Sequence, residues 1–536
     1  MRMTGVAVLL IAGGLFIAGA VSAQQVSDID DPLYKDLSLW QERGLISNLP
    51  PLRPYPIQLV RKLLETVQAE GDGDARERAT TYLKDVSADF KAHAAVNADV
   101  RSDFESFYQQ YELRFSYQGT VAPGITFSGD LGGVASNNQV GALLPEYVRP
   151  DTNVVYDGGV APLGSTGLTP RVSTTGEATF GSDSVYFQAG ILRASFGPFF
   201  GDSIVLSPTA PQAGQFSVVI HEALFTYTSL LLDIAATNND GSGGPLPNKF
   251  LSLHSIEVYP TNWLSLGIIE SVVWGGRLEP LYLLPFPSIL FFAQGMVGYQ
   301  DNSFVGLSAS VKMPEALKAD FMLYVDDAAF NDLIKLDFNT MLVLAAQGGL
   351  SWTPHLKFLE RLGVSYTMVT PYTYSHEDAG GATAPNYQNY TNNGQNMATS
   401  LEPDSDRIEV DALVRPFSFL DVTAFARLIR HGNGSEGIAG GGDGTIFDTG
   451  WVSSLPTFTP AGGFPNPPGG LWTRFLTQSV IEKTFQSGFD AVARINTVAG
   501  QVQASLGYTF EYSMNFDLGA TNRLTNYLSV GLGLKY

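Results

Sequence analysis

Hydrophobic and polar residues alternate with a period of two along most of the chain from about Phe104 onward. In residues 110–117, Tyr, Leu, Phe and Tyr alternate with Gln, Glu, Arg and Ser, and residues 501–512 repeat this pattern. Successive side chains of a β-strand point to opposite faces, and about ten residues suffice for a tilted strand to cross a bilayer. The pattern therefore predicts an all-β transmembrane barrel of antiparallel strands.

The end of the chain favours a closed barrel over a soluble β-sandwich, in which residues also alternate. Tyr536, the last residue, lies on the apolar parity of the segment that begins at Leu528. An open sheet edge beside an apolar face invites aggregation, whereas closure removes the edge and lipid accepts the apolar face. Phe and Tyr residues at the ends of many segments are typical of the aromatic girdles at membrane interfaces.

The length of the alternating region predicts the size of the barrel. At about 22 to 26 residues per strand and connection, the roughly 430 residues beyond the helical segment correspond to about 16 to 18 strands. Long polar stretches rich in glycine lie at 238–248, 380–400 and 432–470. Long loops of outer-membrane barrels belong to the outside face, so these stretches are expected there.

The first residues have the features of a secretory signal. Arg2 precedes an apolar run from Val6 to Ala20, and the small-x-small site Val21-Ser22-Ala23 follows. The alternative, a transmembrane anchor, would need roughly 20 apolar residues, which is more than this run supplies. The pattern predicts a signal peptide over residues 1–23, and the absence of a cysteine after the cleavage site excludes a lipid-anchored lipoprotein.

Residues 24–98 show helical rather than strand periodicity. Asp31-Pro32 is typical of a helix start, and two further patterns of apolar residues at helical spacing follow. The segment predicts a small α-helical unit on the periplasmic side that packs against the rest of the protein. The outer-membrane barrel is then expected over residues 99–536.

Composition narrows the possible function classes. The 536 residues include 56 glycines, 12% aromatic residues and no cysteine, and the formal net charge is −21. Without cysteine the chain forms no disulfide framework, thiolate metal site or cysteine nucleophile. Non-specific nucleic-acid binding requires a basic face, so the negative charge argues against a nucleic-acid partner.

The stretch from His254 to Asp327 carries a series of polar and aromatic motifs: Glu257 with Pro260, Glu270, Trp274-Gly275-Gly276-Arg277, Tyr282-Leu283-Leu284-Pro285, Gln294, Asp301-Asn302 and Asp326-Asp327. This stretch, together with residues 31–56, resembles the Wzi family of capsule-assembly outer-membrane proteins. The resemblance implies an 18-stranded barrel with helices on the periplasmic side. It also implies a lectin-like role in holding exported polysaccharide at the cell surface.

A dense set of polar residues interrupts this part of the predicted wall: Glu270, Arg277, Glu279, Asp301, Asn302, Asp326 and Asp327. A lipid-facing Arg or Lys at mid-depth costs about 2 to 4 kcal/mol, and an Asp or Glu costs less. These side chains are therefore expected to point into the lumen or to lie at loop bases. There they either brace the wall through Arg–carboxylate pairs or, with Trp274, contact a sugar ligand or form a pore constriction.

Polysaccharide recognition requires aromatic faces and planar polar groups. The segment Asn386-Tyr387-Gln388-Asn389-Tyr390 has these residue types, with Tyr387 and Tyr390 as candidate contacts, and Trp451 lies near Phe447 and Phe458. The alternative is that such residues form ordinary exposed turns. An anionic polymer would need a local basic cluster, for which the candidates are Arg427, Arg430 and His431.

Enzymatic motifs are not found. His221-Glu222 lacks the second histidine of a zinc protease helix, and the chain has neither a G-x-S-x-G elbow nor a phosphate loop. We therefore expect no catalysis, metal or cofactor. The sequence favours an outer-membrane protein of bacteria that binds or anchors polysaccharide or lipopolysaccharide. The alternatives are a porin-like diffusion channel for small solutes and, more weakly, an adhesin. Further expected partners are outer-membrane lipid and the β-barrel assembly machinery, through the strand ending at Tyr536.

Overall fold

The computed structural model describes most of the chain between Val26 and Tyr536. The described residues are 26–137, 143–149, 154–156, 162–199, 201–285, 295–298, 301–328, 342–354, 356–376, 378, 380–436, 444–447, 475–498 and 500–536. The predicted signal peptide over residues 1–23 lies outside them, as do Gln294 and the candidate sugar contacts Trp451 and Phe458.

Among the described residues, three helices precede the barrel: α1 (Pro32–Glu42), α2 (Ile57–Glu70) and α3 (Gly73–Val86). Asp31 caps α1, because its side chain accepts a hydrogen bond from the Leu33 amide, and Pro32 occupies the first turn. Asp72 caps α3 in the same way. Among the described residues, the helices are too short or too polar to cross a membrane.

The barrel consists of eighteen antiparallel strands. Their bounds are β1 (Phe90–Ser102), β2 (Phe107–Ala122), β3 (Ile125–Asn137), β4 (Leu168–Gly181), β5 (Val185–Leu192), β6 (Ala213–His221), β7 (Phe225–Asn238), β8 (Leu246–Thr261), β9 (Leu264–Gly275), β10 (Asn302–Met313), β11 (Leu317–Ala328), β12 (Leu342–Trp352), β13 (Leu359–Val369), β14 (Ser405–Phe417), β15 (Leu420–Gly432), β16 (Ile481–Thr497), β17 (Gly500–Met514) and β18 (Arg523–Lys535). Each strand pairs with its neighbours in the chain, and β18 pairs with β1 to close the barrel.

The first strand begins earlier than the period of two indicates. Phe90–Ser102 is already β1, so the helical unit ends at Val86 and the barrel begins inside the range predicted as helical, 24–98. Phe90 follows Val86 by four residues, which is also a helical spacing, but its ring lies on the outer face and is 62% exposed. The Ala-rich outward residues of β1 weakened the alternation in the sequence.

The alternation along the strands separates an apolar outer face from a polar inner face. In β2, Leu113 and Phe115 are 46% and 53% exposed, whereas Glu112 and Ser116 on the opposite parity are buried. Exposed apolar side chains recur on the same face of the other strands, where lipid replaces water as their surroundings. This is the distribution expected of a wall that spans a membrane.

The two ends of the barrel differ. At one end the strands are joined by tight turns, at 123–124, 182–184, 222–224, 262–263, 314–316 and 418–419. At the other end the connections are long, including 193–212, 276–301 and 370–404. Long loops of outer-membrane barrels are extracellular, so the tight-turn end, where the helices lie, is the periplasmic end.

The helical unit lies inside the periplasmic end of the barrel and is held to the wall by hydrogen bonds. Lys35 Nζ of α1 donates to Thr423 Oγ1 of β15 at 3.0 Å, and Arg43 Nη2 donates to Glu360 Oε2 of β13 at 2.7 Å. Apolar residues of the three helices belong to one buried core with inward residues of the strands. The helices therefore plug much of the periplasmic opening.

Two extracellular connections enter the lumen from the other end. Tyr374 and Tyr390, from the connection 370–404, donate from their hydroxyls to the carbonyl oxygens of Ile204 and Val205, at 2.6 and 2.8 Å. Both tyrosine rings pack with Phe304 in a fully buried aromatic cluster. Both connections thus join the same buried core as the helices and the inward strand residues.

Candidate functional site

A patch at the extracellular rim brings several of the predicted site residues together. Strand β9 ends at Gly275, and the ring of Tyr387 from the connection 370–404 lies directly against Gly275 and Gly276. A Cβ atom on Gly275 would lie 2.2 Å from Cδ1 of Tyr387, so only glycine allows this approach. Gly276 adopts a positive φ of 69°, which glycine permits without strain.

The connection after β9 is held by a bidentate ion pair. Arg277 donates from Nη1 and Nη2 to the two carboxylate oxygens of Asp301, at 3.0 and 2.6 Å. The hydroxyl of Tyr282 donates to the same carboxylate at 2.9 Å. These hydrogen bonds to Asp301 raise the pKa of Arg277 above its ordinary value, and the guanidinium remains about one-third exposed. Arg277 thus braces the loop base while keeping one side open.

The segment that carries Tyr387 is fixed before any ligand arrives. Asp378 accepts hydrogen bonds from the amide of Tyr387 and from Nε2 of Gln388, the latter at 2.8 Å. Asn302, at the start of β10, donates from Nδ2 to the Gln388 carbonyl at 3.2 Å. Tyr387, Gln388 and Asp378 are half-buried. We define these three residues, together with Arg277, as the rim patch.

Trp274 is adjacent to the rim patch but is closed to ligands. Its side chain points outward from β9, is fully buried and packs against the rings of Phe250 and Tyr282, with centroid distances of 5.4 and 5.0 Å. The short helical turn Pro280–Leu283 covers it on the outer face. Trp274 therefore anchors the connection after β9 on the barrel wall.

The expectation that Glu270 points into the lumen or lies at a loop base is wrong. Glu270 shares the outward parity of Leu266 and Ile268, whose side chains are 43% and 61% exposed. Directly opposite on β8, also on the outer face, His254 places Nδ1 3.4 Å from Glu270 Oε1. The pairing with histidine explains how a carboxylate is tolerated on this face.

Three further candidates serve the core of the lumen. Asp326 lies at a bulge of β11, and its Oδ2 accepts a hydrogen bond from the Tyr374 amide at 2.8 Å. Asp327 pairs across the same bulge with the inward residue Val343. Tyr390 is fully buried. The structure therefore separates Tyr390 from Tyr387, although the two lie only three positions apart.

The predicted basic cluster divides between the two faces of β15. Arg427 points into the lumen, where its guanidinium stacks over Phe425 at 4.3 Å and donates to Glu409 at 2.8 Å. Arg430 points outward and donates from Nε to Asp406 at 2.9 Å. His431 shares the inward face of Arg427. The three residues accordingly form no common anion site, because a strand alternates its side chains.

Asp202 connects several segments inside the lumen, a role that no motif in the sequence indicates. Its Oδ2 accepts hydrogen bonds from Thr399 Oγ1 at 2.5 Å, from the Ser400 amide at 3.0 Å and from Arg407 Nη2 at 2.8 Å. Burial acts to raise the pKa of Asp202, but Arg407 and the hydrogen bonds outweigh burial and lower it to about 2. Its partners are nearly two hundred residues distant, so local sequence patterns do not reveal this role.

Comparison with solved structures identifies a protein with a similar architecture. The chain aligns over 96% of its length with 99% of Wzi, an outer-membrane protein involved in group 1 capsule assembly in Escherichia coli and described as a carbohydrate-binding β-barrel, with a TM-score of 0.59 and 12% identity. The chain has the fold of Wzi. The expected resemblance, the 18-stranded barrel and the outer-membrane location are thereby confirmed.

Two Pseudomonas aeruginosa proteins show a weaker structural similarity to the chain. OccK10 (OpdN) aligns with 84% of this chain and 99% of its own, with a TM-score of 0.44 and 9% identity. OccK3 (OpdO) aligns with 84% of this chain and 96% of its own, with a TM-score of 0.41 and 12% identity. No protein-family model matches the chain, and no curated protein matches it significantly.

Proposed function

We propose that this protein binds exported polysaccharide, or the sugar of lipopolysaccharide, at the cell surface through the rim patch and without catalysis. The proposal is supported by the likeness to Wzi, which extends over nearly the whole of both chains. The observation that carries it is the pre-formed set of a tyrosine ring, an amide, a carboxylate and a guanidinium on one extracellular surface.

The chemistry of the rim patch suits a sugar. The ring of Tyr387 offers an apolar face for the C–H face of a pyranose, and the planar groups of Gln388 and Asp378 suit hydroxyls. Arg277 adds a cation for an acidic sugar. Because Asp378 and Asn302 already hold the segment, binding orders little additional chain, and this favours affinity.

Binding of envelope polysaccharide by purified variants tests the proposal. Tyr387→Ala removes the stacking face and is expected to weaken binding at least about tenfold, the effect of losing one well-packed aromatic contact. Tyr111→Ala is the matched control, since Tyr111 lies on the outer face of β2. The probe is oligosaccharide released from the envelope of the same cells. Equal binding by wild type and Tyr387→Ala would contradict the proposed role of the rim patch.

A cellular measurement tests the role as an anchor. Deletion of the gene is expected to shift polysaccharide from the cell-bound to the released fraction, and the wild-type gene should reverse the shift. Complementation with Tyr387→Ala should fail, whereas complementation with Tyr111→Ala should succeed. Unchanged distribution of polysaccharide after deletion would exclude anchoring as the function.

We also propose that the barrel assembly machinery recognises β18. The outward residues of this strand are mostly leucine and valine, and Leu532 is 52% exposed. The strand pairs with β1 at the closing seam, where the Tyr536 amide donates to the Ala94 carbonyl at 2.9 Å. Deleting Tyr536 is expected to lower the amount of heat-modifiable, folded protein in the outer membrane. An unchanged amount would contradict this role.

A further inference from the structure

The lumen is filled on one side and open on the other. Inward-facing Ser217, Thr226 and Thr228, on β6 and β7, are fully buried. In contrast, inward-facing Asp490 on β16 and Gln503 on β17 are exposed, although they lie inside the barrel. Side chains that are exposed within a lumen border open space, so the described residues of the plug and of the connections leave the β15–β18 side free.

Three cavities follow one another along this open side. At the periplasmic end a cavity of about 400 Å³ lies between the helices and the wall, and Arg494 and Gln503 line it. A second, of about 410 Å³, lies above α1. A third, of about 430 Å³, continues along β16–β18. The second and third cavities share Phe425, Arg427 and Asp490, and Ser505, the next inward residue after Gln503, lines the third.

The third cavity ends beneath a short extracellular segment, Leu143–Arg149. Three hydrogen bonds hold Glu146 in place there. Its amide donates to Glu511 at 2.8 Å, its carbonyl accepts from Gln486 at 2.7 Å, and its Oε1 accepts from Arg523 at 2.8 Å. Arg149 donates to carbonyl oxygens of the connection 370–404, including that of Ala398 at 3.2 Å. The segment closes the open side toward the outside.

We propose that these cavities form a one-sided aqueous passage for small hydrophilic solutes, inorganic ions included, and that Leu143–Arg149 is its extracellular gate. This inference goes beyond the proposed polysaccharide binding and does not depend on it. The second and third cavities meet at the shared residues Phe425, Arg427 and Asp490. Opening requires that the hydrogen bonds of both Glu146 and Arg149 break, because both residues hold the segment in place.

The lining determines which solutes fit. Arg427 and Asp490 lie on adjacent strands, and Asp99 and Arg101 face the third cavity from β1. Acidic and basic groups both line the route, and in the second cavity carboxylates such as Glu409 and Asp411 outnumber the cationic side chains. The passage is suited to small cations and to neutral or zwitterionic molecules, rather than to a strongly anionic polymer.

Cysteine accessibility tests the passage directly, because the chain contains no native cysteine. Asp490→Cys and Gln503→Cys are introduced singly into the full-length protein in detergent and treated with a small, charged methanethiosulfonate reagent. Both are expected to react at least about tenfold faster than Thr228→Cys, which lies on the filled side. Equally slow reaction of all three variants would overturn the passage.

Ion conductance in planar lipid bilayers tests the gate. Arg523→Gln removes the charged partner of Glu146 and is expected to raise the open probability about tenfold, the effect of one charge-assisted hydrogen bond. Arg430→Gln is the matched control, since Arg430 points outward, and it should conduct like the wild type. If Arg523→Gln conducts no more than the wild type, Leu143–Arg149 is not a gate. Neither measurement involves sugar, so its failure is distinguishable from failure of the proposed function.

Discussion

Arg415 on β14 donates from Nη2 to Oδ1 of Asp36 on α1 at 2.6 Å, across 379 residues of sequence. The second oxygen of Asp36 accepts from Arg78 on α3 at 2.5 Å and from the Tyr82 hydroxyl at 2.6 Å. Arg415 is held in turn by Asp421 of β15 at 2.6 Å. One buried carboxylate therefore joins two helices of the plug to the barrel wall.

Neutralising this carboxylate is expected to loosen the plug. Asp36→Asn removes the counter-charge of Arg78 and one of the counter-charges of Arg415, and the loss of one partner from a buried ion pair costs about 3 to 5 kcal/mol. Limited proteolysis should then cleave the helical unit, residues 32–86, while the barrel remains intact. Glu65→Gln, on the exposed face of α2, is the control. Equal resistance of both variants to protease would show that apolar packing alone holds the plug.

Low pH is expected to protonate Asp202 and thereby to weaken the attachment of the extracellular connections. The pKa of this group falls from its usual 3.8 to about 2 in the folded protein. Because the folded pKa is depressed, the stabilisation is present in full above about pH 4 and is lost as the pH falls toward 2. The loss corresponds to about 2 kcal/mol of unfolding free energy.

Urea unfolding in detergent between pH 5 and pH 2 measures this effect. Asp202→Asn should be less stable than the wild type at pH 5, and the difference should shrink by about 2 kcal/mol at pH 2. Asp89→Asn, on an exposed turn, should follow the wild type throughout. A difference between Asp202→Asn and the wild type that does not change with pH would contradict this assignment.

A methyl group at Gly275 is expected to disorganise the rim patch. In Gly275→Ala the new Cβ would lie 2.2 Å from Tyr387 and 2.6 Å from the Asn248 carbonyl, so the ring must move. Gly133→Ala is the matched control, since no atom lies within 4 Å of its Cβ position. Sugar binding should fall at least about tenfold in Gly275→Ala only, as expected for a displaced aromatic contact. Retained binding would place the sugar elsewhere.

The outward pair of His254 and Glu270 is expected to show strong coupling. His254→Leu alone leaves a carboxylate on the lipid face without this partner and should destabilise the barrel by about 1 to 3 kcal/mol. The double variant His254→Leu/Glu270→Leu should regain most of this stability, because leucine suits lipid. The readout is the free energy of unfolding in lipid vesicles. Additive effects of the two substitutions would exclude a direct interaction.

The direction of Glu270 could have been read from the sequence. It lies on the parity of Leu264, Leu266 and Ile268, and that parity faces lipid. General avoidance of charge in lipid suggested the lumen instead. The sequence did not reveal His254 opposite it, since strand register depends on how two segments align in space.

The sequence by itself determined the spanning strands, the helical unit and the outer-membrane location, because alternation and helix caps act within a few residues of the chain. Only the tertiary structure decided that Tyr387 is half-exposed while Tyr390 is buried, that Arg427 and Arg430 face opposite ways, and that Asp202 binds Arg407. These outcomes depend on which face is turned to lipid and on contacts between distant segments. Such contacts arise when the barrel closes and its connections fold into the lumen, so no local pattern encodes them.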